Sequence, residues 1–182
     1  MKKTNPFSMI RYLLHKHKIP DVVMCRAERE KQIVYGSKAM NIQLPVFLRR
    51  ESPDFDVFTP TPRKTANLVQ RQLDRRVAGG QNDFYHRRAI HPGTWKVLHE
   101  GEDGRQRTRD DIGVVDYSKP TGPVNIVMIN GVRHETLGSI VKGKRKTLRD
   151  PKSKYRHAKD SADIARIQLA QKIKRVLTLR RR

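Results

Sequence analysis

Apolar positions follow two different periods along the chain, and together they predict a mixture of strands and helices. Short apolar runs bounded by Gly, Pro, Asn or Asp are typical of strands, and stripes with three- or four-residue spacing are typical of helices. This order predicts an α+β fold with a small mixed sheet of about five strands, flanked by helices, and with basic helices towards both ends. The strand pattern occurs at residues 33–35, 54–58, 83–91, 94–99, 112–118 and 124–129, and the helical pattern at residues 7–18, 21–32, 38–44, 62–77, 136–149 and 160–177.

The segment from Ser52 to Phe58 places two carboxylates in a strand pattern. Successive side chains of a strand point to opposite faces, so Asp54 and Asp56 share one face. Like charges this close cost stability unless a cation or a shared proton lies between them. A divalent metal ion is one such cation, and a pair of solvated edge carboxylates is the alternative interpretation.

Two further features extend this acidic strand. The sequence Gly36-Ser37-Lys38 follows the apolar run 33–35 and opens a helix, so free amides of the first helical turn are able to hold phosphate oxygens. A Gly-Ser pair after a strand is also common in plain turns. Downstream, Asp116 follows two valines, which predicts a carboxylate at the end of a buried strand.

Taken in order, Gly36 with Ser37, Asp54 with Asp56, and Asp116 resemble the signature of the nucleotidyltransferase fold of the polymerase-beta type. The resemblance runs from about residue 33 to residue 117 and indicates a small, minimal member of that superfamily; the expectation includes viral members. It implies that residues 45–51 form an insertion or an extended loop. The later sequence Lys159-Asp160-x-x-Asp163-Ile164 also resembles a helix start that follows the core in small members.

The resemblance implies a chemistry as well. Nucleotidyl transfer uses two Mg²⁺ ions, held by oxygen ligands, to neutralise the triphosphate and to activate the attacking hydroxyl. By this resemblance Asp54 and Asp56 would bind both ions, and Asp116 would bind the ion nearest the acceptor hydroxyl and help to take its proton. The phosphates of the NTP would be held by Gly36, Ser37 and Lys38.

The charge of the chain adds a second expected partner. Its 182 residues include 40 Lys and Arg against 18 Asp and Glu, a net charge of +22 that attracts nucleic acid, anionic lipid or a nucleoside triphosphate. A basic run with few aromatic residues predicts contacts to a nucleic-acid backbone rather than to bases, with a solvated helix face as the alternative. The predicted contacts are Lys142, Lys144, Arg145, Lys146 and Arg149.

A second cluster combines Trp95 with three histidines on two predicted strands. In one interpretation Trp95 stacks on a base while Arg87 or Arg88 contacts phosphate. In the other, Trp95 is a core aromatic and the histidines are surface or hydrogen-bonded residues. The histidines are His86, His91 and His99.

Bulk composition sets the remaining expectations. The length suits one domain, and 36% hydrophobic against 32% charged residues indicates a modest core. We expect a basic helical segment at residues 1–30, a core at 31–150, and a helix with a basic tail at 151–182. The single Cys25 excludes an internal disulfide, and neither a membrane-spanning run nor a secretory signal is present. These features favour a cytoplasmic, intracellular or virion location and no membrane partner.

Two functions of different classes follow. The first is a metal-dependent nucleotidyltransferase that transfers a nucleotidyl group from an NTP to a nucleic-acid or protein hydroxyl. The second is an inactive protein of the same fold that binds nucleic acid as a component of a virion or a ribonucleoprotein. A third possibility is a basic α+β binding protein without this fold, in which Asp54, Asp56 and Asp116 lie far apart.

Overall fold

The computed structural model describes residues 7–179, so the predicted basic tail at residues 180–182 lies outside the described residues. Three short 3₁₀ turns, at Lys16–Lys18, Val46–Leu48 and Pro151–Arg156, connect the regular elements. The helices are α1 (Ser8–His15), α2 (Ile19–Arg29), α3 (Gly36–Gln43), α4 (Pro62–Arg76), α5 (Leu137–Leu148) and α6 (His157–Leu179). The strands are β1 (Ile33–Tyr35), β2 (Phe55–Phe58), β3 (Phe84–Arg88), β4 (Trp95–His99), β5 (Ile112–Ser118), β6 (Ile126–Ile129) and β7 (Val132–Glu135).

All seven strands of residues 7–179 form one mixed sheet in the order β3-β4-β5-β2-β1-β7-β6. The pairs β1–β7 and β2–β5 are parallel, and the other neighbours are antiparallel. This arrangement confirms the predicted α+β class with a mixed sheet. The number of strands is seven rather than about five, because Arg133, His134 and Glu135 interrupt the apolar pattern of β7 and concealed it from the sequence prediction.

The sheet buries one face and leaves the other half open. Val34, Val57 and Tyr117 are paired across β1, β2 and β5 and are completely buried. Burying an apolar side chain of this size stabilises the fold by about 1.5–3 kcal/mol, so this face anchors the central strands. The residues that alternate with them, including Asp56 and Asp116, are only partly buried.

Helices α2 and α4 cover the buried face. The Arg26 guanidinium of α2 donates to the Gln72 side chain of α4 (3.3 Å), and Gln70 of α4 bonds to the His86 ring of β3 (2.5 Å). Pro20 lies in the first turn of α2, where its missing amide hydrogen costs nothing.

The segment between α3 and β2 is an irregular loop fixed by hydrogen bonds. The Asn41 side chain donates to the carbonyl of Arg50 (2.5 Å), and the Arg49 guanidinium donates to the carbonyl of Leu44 (3.0 Å). Leu48 packs into the core from this loop. The loop therefore holds the Arg50 side chain in a defined place beside α3.

The last two helices pack against each other. Helix α5 begins after Thr136, whose hydroxyl accepts a hydrogen bond from the Ser139 amide (3.3 Å), as a helix cap does. Helix α6 contacts α5 along its first turns. Among the helices of residues 7–179, none combines the length and the apolar character that a membrane crossing needs.

Candidate active site

The three predicted carboxylates lie on two neighbouring strands. Asp56 in β2 and Asp116 in β5 are directly paired in a parallel register, and Asp54 immediately precedes β2. Parallel neighbours are about 4.8 Å apart, so side chains at paired positions share one face of the sheet. The strand register therefore brings Asp56 and Asp116 together on the half-open face.

Negative charge at this position is only partly compensated. Burial and the charges of Asp54 and Asp116 together raise the pKa of Asp56 to about 7, against the opposing influence of Arg156 and Lys159. Burial also raises the pKa of Asp116. A carboxyl group with such a pKa is one whose ionised form lacks a sufficient positive partner, and a bound cation would supply it.

Several cations surround these carboxylates, and the sequence predicted only Lys38. Lys96 of β4 is paired across the sheet with Asp116, and its ammonium group lies 3.0 Å from the Asp116 carboxylate. Arg156 and Lys159, at the start of α6, both act on the charge of Asp56. Lys96 was missed because its role depends on the β4–β5 register, which the sequence pattern alone does not fix.

Gly36 forms the turn that leads from β1 into α3. Its φ of +67° lies in the left-handed region, and a Cβ atom at this position would overlap the Asp56 carboxylate. Only glycine therefore allows the first turn of α3 to approach the acidic strand so closely. The first turn of α3, whose amides have no partner within the helix, therefore begins beside the Asp56 carboxylate.

The hydroxyl of Ser37 already has a partner. The Arg50 Nη2 donates to Ser37 Oγ at 2.7 Å and to one carboxylate oxygen of Asp163 at 3.3 Å, and its Nε donates to the other carboxylate oxygen at 3.1 Å. Lys38, the third predicted phosphate contact, has its Nζ 4.7 Å from the Phe55 ring centroid; burial lowers its pKa and the charge of Asp54 opposes that change. Arg50 thus brings a further cation to the β1–α3 turn. It belongs to the loop between α3 and β2, where no sequence motif indicated a functional residue.

A basic groove adjoins the carboxylates on the same face. Phe58 lies two residues beyond Asp56, and its ring stacks on that of Tyr35 with centroids 3.8 Å apart. Phe58 also lines a cavity of about 710 Å³ between α5 and the loop at residues 121–124. Four of the five predicted nucleic-acid contacts border this cavity, namely Lys142, Arg145, Lys146 and Arg149.

Lys144 differs from the other four basic residues. It is buried, and its Nζ lies 2.6 Å from Asp160 and 2.8 Å from Asp163. Helical geometry explains the difference, because its position on α5 faces α6 rather than solvent. Lys144 therefore serves the packing of the two helices and is not exposed to a nucleic-acid backbone.

The donor set fits a hard divalent cation. Asp54, Asp56 and Asp116 offer carboxylate oxygens, which Mg²⁺ prefers, and the raised pKa of Asp56 reflects a need for positive charge. No three His, Cys, Asp or Glu side chains within residues 7–179 are already arranged as a complete ligand group. In this structure one carboxylate oxygen of Asp116 is paired with the Lys96 ammonium at 3.0 Å, so Lys96 would compete with a metal ion for that oxygen.

Comparison with known proteins identifies the fold. No family model and no curated protein matches the chain in sequence. The Megavirus polyadenylate synthase is similar in structure, with a TM-score of 0.67 over 86% of this chain at 13% identity. This chain covers 31% of the Megavirus chain and so spans about a third of its length. The likeness shows the fold, which is the predicted nucleotidyltransferase fold.

Two structures from Helicobacter pylori are also similar. JHP933 aligns over 78% of this chain and 57% of its own at 14% identity, with a TM-score of 0.46. A protein named as a nucleotidyltransferase aligns over 74% of this chain and 57% of its own, also at 14% identity, with a TM-score of 0.47.

Proposed function

We propose that the chain transfers a nucleotidyl group from an NTP to the hydroxyl of a nucleic acid. The observation that carries this proposal is the register of Asp56 and Asp116, which meet on one face behind the glycine turn of α3. Nucleotidyl transfer uses carboxylates that bind metal ions and hydrogen-bond donors, such as helix amides, that bind the phosphates. Both kinds of group lie next to each other here.

The proposed reaction exchanges a phosphoanhydride bond of the NTP for a phosphate ester bond to the acceptor. The acceptor oxygen forms a bond to the α-phosphorus, the bond from that phosphorus to the bridging oxygen breaks, and pyrophosphate leaves. Magnesium, when bound by Asp54, Asp56 and Asp116, would neutralise the triphosphate and lower the pKa of the hydroxyl. Asp116 would receive the hydroxyl proton, and the rise of its pKa on burial supports this role.

The cations beside the carboxylates would hold the phosphates. Ser37 and the first amides of α3 would bind the β- and γ-phosphates, with Lys38 next to them. The Arg50 Nη2 would exchange its bond to Ser37 for one to a phosphate oxygen, while the bond from Nε to Asp163 keeps the guanidinium in place. Fixed positive groups of this kind stabilise the charge that develops during transfer.

A nucleic acid is the acceptor that the surface favours over a protein hydroxyl. The groove between α5 and the loop at residues 121–124 presents four cations beside Phe58, two residues along the strand from Asp56. Cations spaced along a helix match a phosphate backbone. The Megavirus protein of the same fold is a polyadenylate synthase, which agrees with this choice.

Transfer of an α-labelled nucleotide to an oligonucleotide tests the proposal. We expect Asp56→Asn to reduce magnesium-dependent transfer by about 1,000-fold or more, because the central metal ligand is lost. Asp21→Asn, an equal change at an exposed position in the first turn of α2, should leave the rate unchanged. Transfer that persists in Asp56→Asn would exclude the proposed site.

The inactive, nucleic-acid-binding alternative draws on one specific observation. Lys96 already neutralises part of the Asp116 charge at 3.0 Å, as an ion pair without metal would. Under this alternative no NTP is transferred, binding to nucleic acid falls steeply with salt, and magnesium has no influence on it. Changing all three aspartates to asparagine would then leave binding intact.

A further inference from the structure

A second groove lies on the opposite face of the sheet from the carboxylates. It has a volume of about 960 Å³ and lies between the first two turns of α4 and the strands β3 and β4. None of the residues that line it is acidic, and three are Lys or Arg. Its main lining side chains are Arg63, Lys64, Asn67, His86, Trp95 and Lys119.

Trp95 forms an accessible aromatic wall of this groove. The ring is partly buried rather than enclosed in the core. The Arg63 guanidinium carbon lies 5.3 Å from the ring centroid on one side, and the His86 ring centroid lies 5.6 Å away. Arg63 and Lys64 are both exposed, so they remain available to a ligand. An aromatic ring with exposed cations over and beside it offers partners for the two parts of a nucleotide, a base and a phosphate.

The β3–β4 turn connects this groove to the carboxylates. Gly93 in the turn lines the groove, while the charge of His91, two residues earlier, acts on Asp116 on the other face. Thr94 also bonds to Ser118, two residues beyond Asp116, at 2.9 Å. The turn therefore contributes both to the groove and to the surroundings of Asp116.

We propose that the groove binds the upstream part of a single-stranded nucleic-acid acceptor. One base stacks on Trp95, and the flanking phosphates contact Arg63, Lys64 and Lys119. A single strand is required because the bases of a duplex are already stacked on each other and do not expose a face. This assignment rests on the proposed function, since it takes the acceptor end to lie at Asp116.

Trp95 provides its own probe, because it is the single tryptophan of the chain. The full chain is titrated with a 12-nucleotide single strand in EDTA and without NTP, and tryptophan fluorescence is recorded. An abasic strand with the same number of phosphates serves as the matched ligand. We expect strong quenching by the ordinary strand and little by the abasic strand, since only a base stacks on the ring.

Two variants separate stacking from general attraction. Arg63→Ala and Trp95→Leu should each weaken binding of a labelled strand, measured by anisotropy, by about tenfold, the scale of one base–aromatic contact. Arg76→Ala removes the same charge from the far end of α4, outside the groove, and should change binding by less than about twofold.

The proposal fails if the two strands quench equally, if the labelled strand binds without quenching, or if Arg76→Ala weakens binding as much as Arg63→Ala. Stronger quenching by an acidic peptide than by the strand would assign the groove to a protein partner instead. Because metal and NTP are absent, failure here leaves the transfer test with Asp56→Asn unaffected. Loss of the proposed transfer would likewise leave this binding measurement valid.

Discussion

Two groups of aspartates, one at the start of α6 and one in the sheet, are neutralised to very different degrees. At the start of α6, burial would raise the pKa of Asp163, but hydrogen bonds from Arg50 and Lys144 outweigh burial and lower the pKa to about 2. Arg166 adds a third cationic partner. In the sheet, by comparison, burial and two neighbouring carboxylates raise the pKa of Asp56 to about 7.

The difference separates an acidic cluster that the protein's own cations neutralise from the acidic cluster proposed as a metal site. A chain with a net charge of +22 has enough cations to neutralise both groups, yet it places three of them on Asp163 and leaves Asp56 without a direct ion pair among the described residues. Asp116 has one, from Lys96. Carboxylates that lack protein partners are typical of sites that receive an outside cation.

Removing the charge of Asp163 should have the largest effect on stability. Asp163→Asn leaves the buried Lys144 and the partly buried Arg50 with fewer acceptors, and we expect a loss of about 3–5 kcal/mol in the free energy of unfolding, measured by urea denaturation. Glu102→Gln, an exposed change that alters net charge equally, should cost less than about 0.5 kcal/mol. Equal losses in the two variants would show that the α5–α6 cluster does not anchor the fold.

Releasing Asp116 from Lys96 should have an intermediate effect, on metal affinity. Lys96→Met keeps the length of the side chain but removes the cation 3.0 Å from the carboxylate. We expect magnesium to bind about tenfold more tightly, measured by calorimetry, because a competing charge has gone. Lys142→Met, in the α5 groove, should not change the affinity. Weaker binding in Lys96→Met would mean that Lys96 orients Asp116 instead of competing with metal.

The smallest effect concerns the pH dependence of stability without metal. A folded pKa above the unfolded value means that the folded chain binds more protons, so the contribution of Asp56 to stability is lost as pH rises from about 4 to about 7. Asp56→Asn has no such loss, so its free energy of unfolding at pH 8 should exceed that of the original chain by about 1–2 kcal/mol. This is less than the energy equivalent of the full pKa shift, because water reaches this face of the sheet.

The acidic cluster at α6 should respond to pH in the opposite sense. Because the folded pKa of Asp163 is lowered, its contribution is complete above about pH 4 and is lost as pH falls towards 2. Thermal unfolding followed across pH 2–9 resolves the two windows. Identical profiles of stability against pH for the original chain and Asp56→Asn would contradict the inference that the Asp56 carboxylate lacks a compensating positive charge.

Local patterns in the sequence were sufficient for much of this site. The alternation around Asp56 and the glycine of the β1–α3 turn require only neighbouring residues, and the structure places both where the pattern predicted. The fold class followed from the order of strands and helices. The roles of Lys96 and Arg50 could not be predicted from local patterns. The role of Lys96 depends on the register between β4 and β5, and that of Arg50 depends on a contact with Asp163 of α6, 113 positions later in the chain.

Burial was the other quantity that the sequence concealed. Lys144 lies in the same basic run as Arg145 and Lys146, yet only Lys144 faces α6 and is buried. The run has no apolar periodicity strong enough to reveal which side of α5 packs. Strand β7 was missed for a similar reason, since its buried His134 does not look like a core residue in sequence.

Nucleotide-dependent thermal stabilisation tests the central claim most directly. The account predicts that at least one NTP with magnesium raises the unfolding temperature of the chain by about 5–10 °C at about 100 times its Kd, since a ligand of the folded state stabilises it by mass action. The rise should nearly vanish in EDTA and in Asp56→Asn, and persist in Asp21→Asn. Equal rises with and without magnesium, or an unchanged rise in Asp56→Asn, would contradict the assignment of the three aspartates as a metal and triphosphate site.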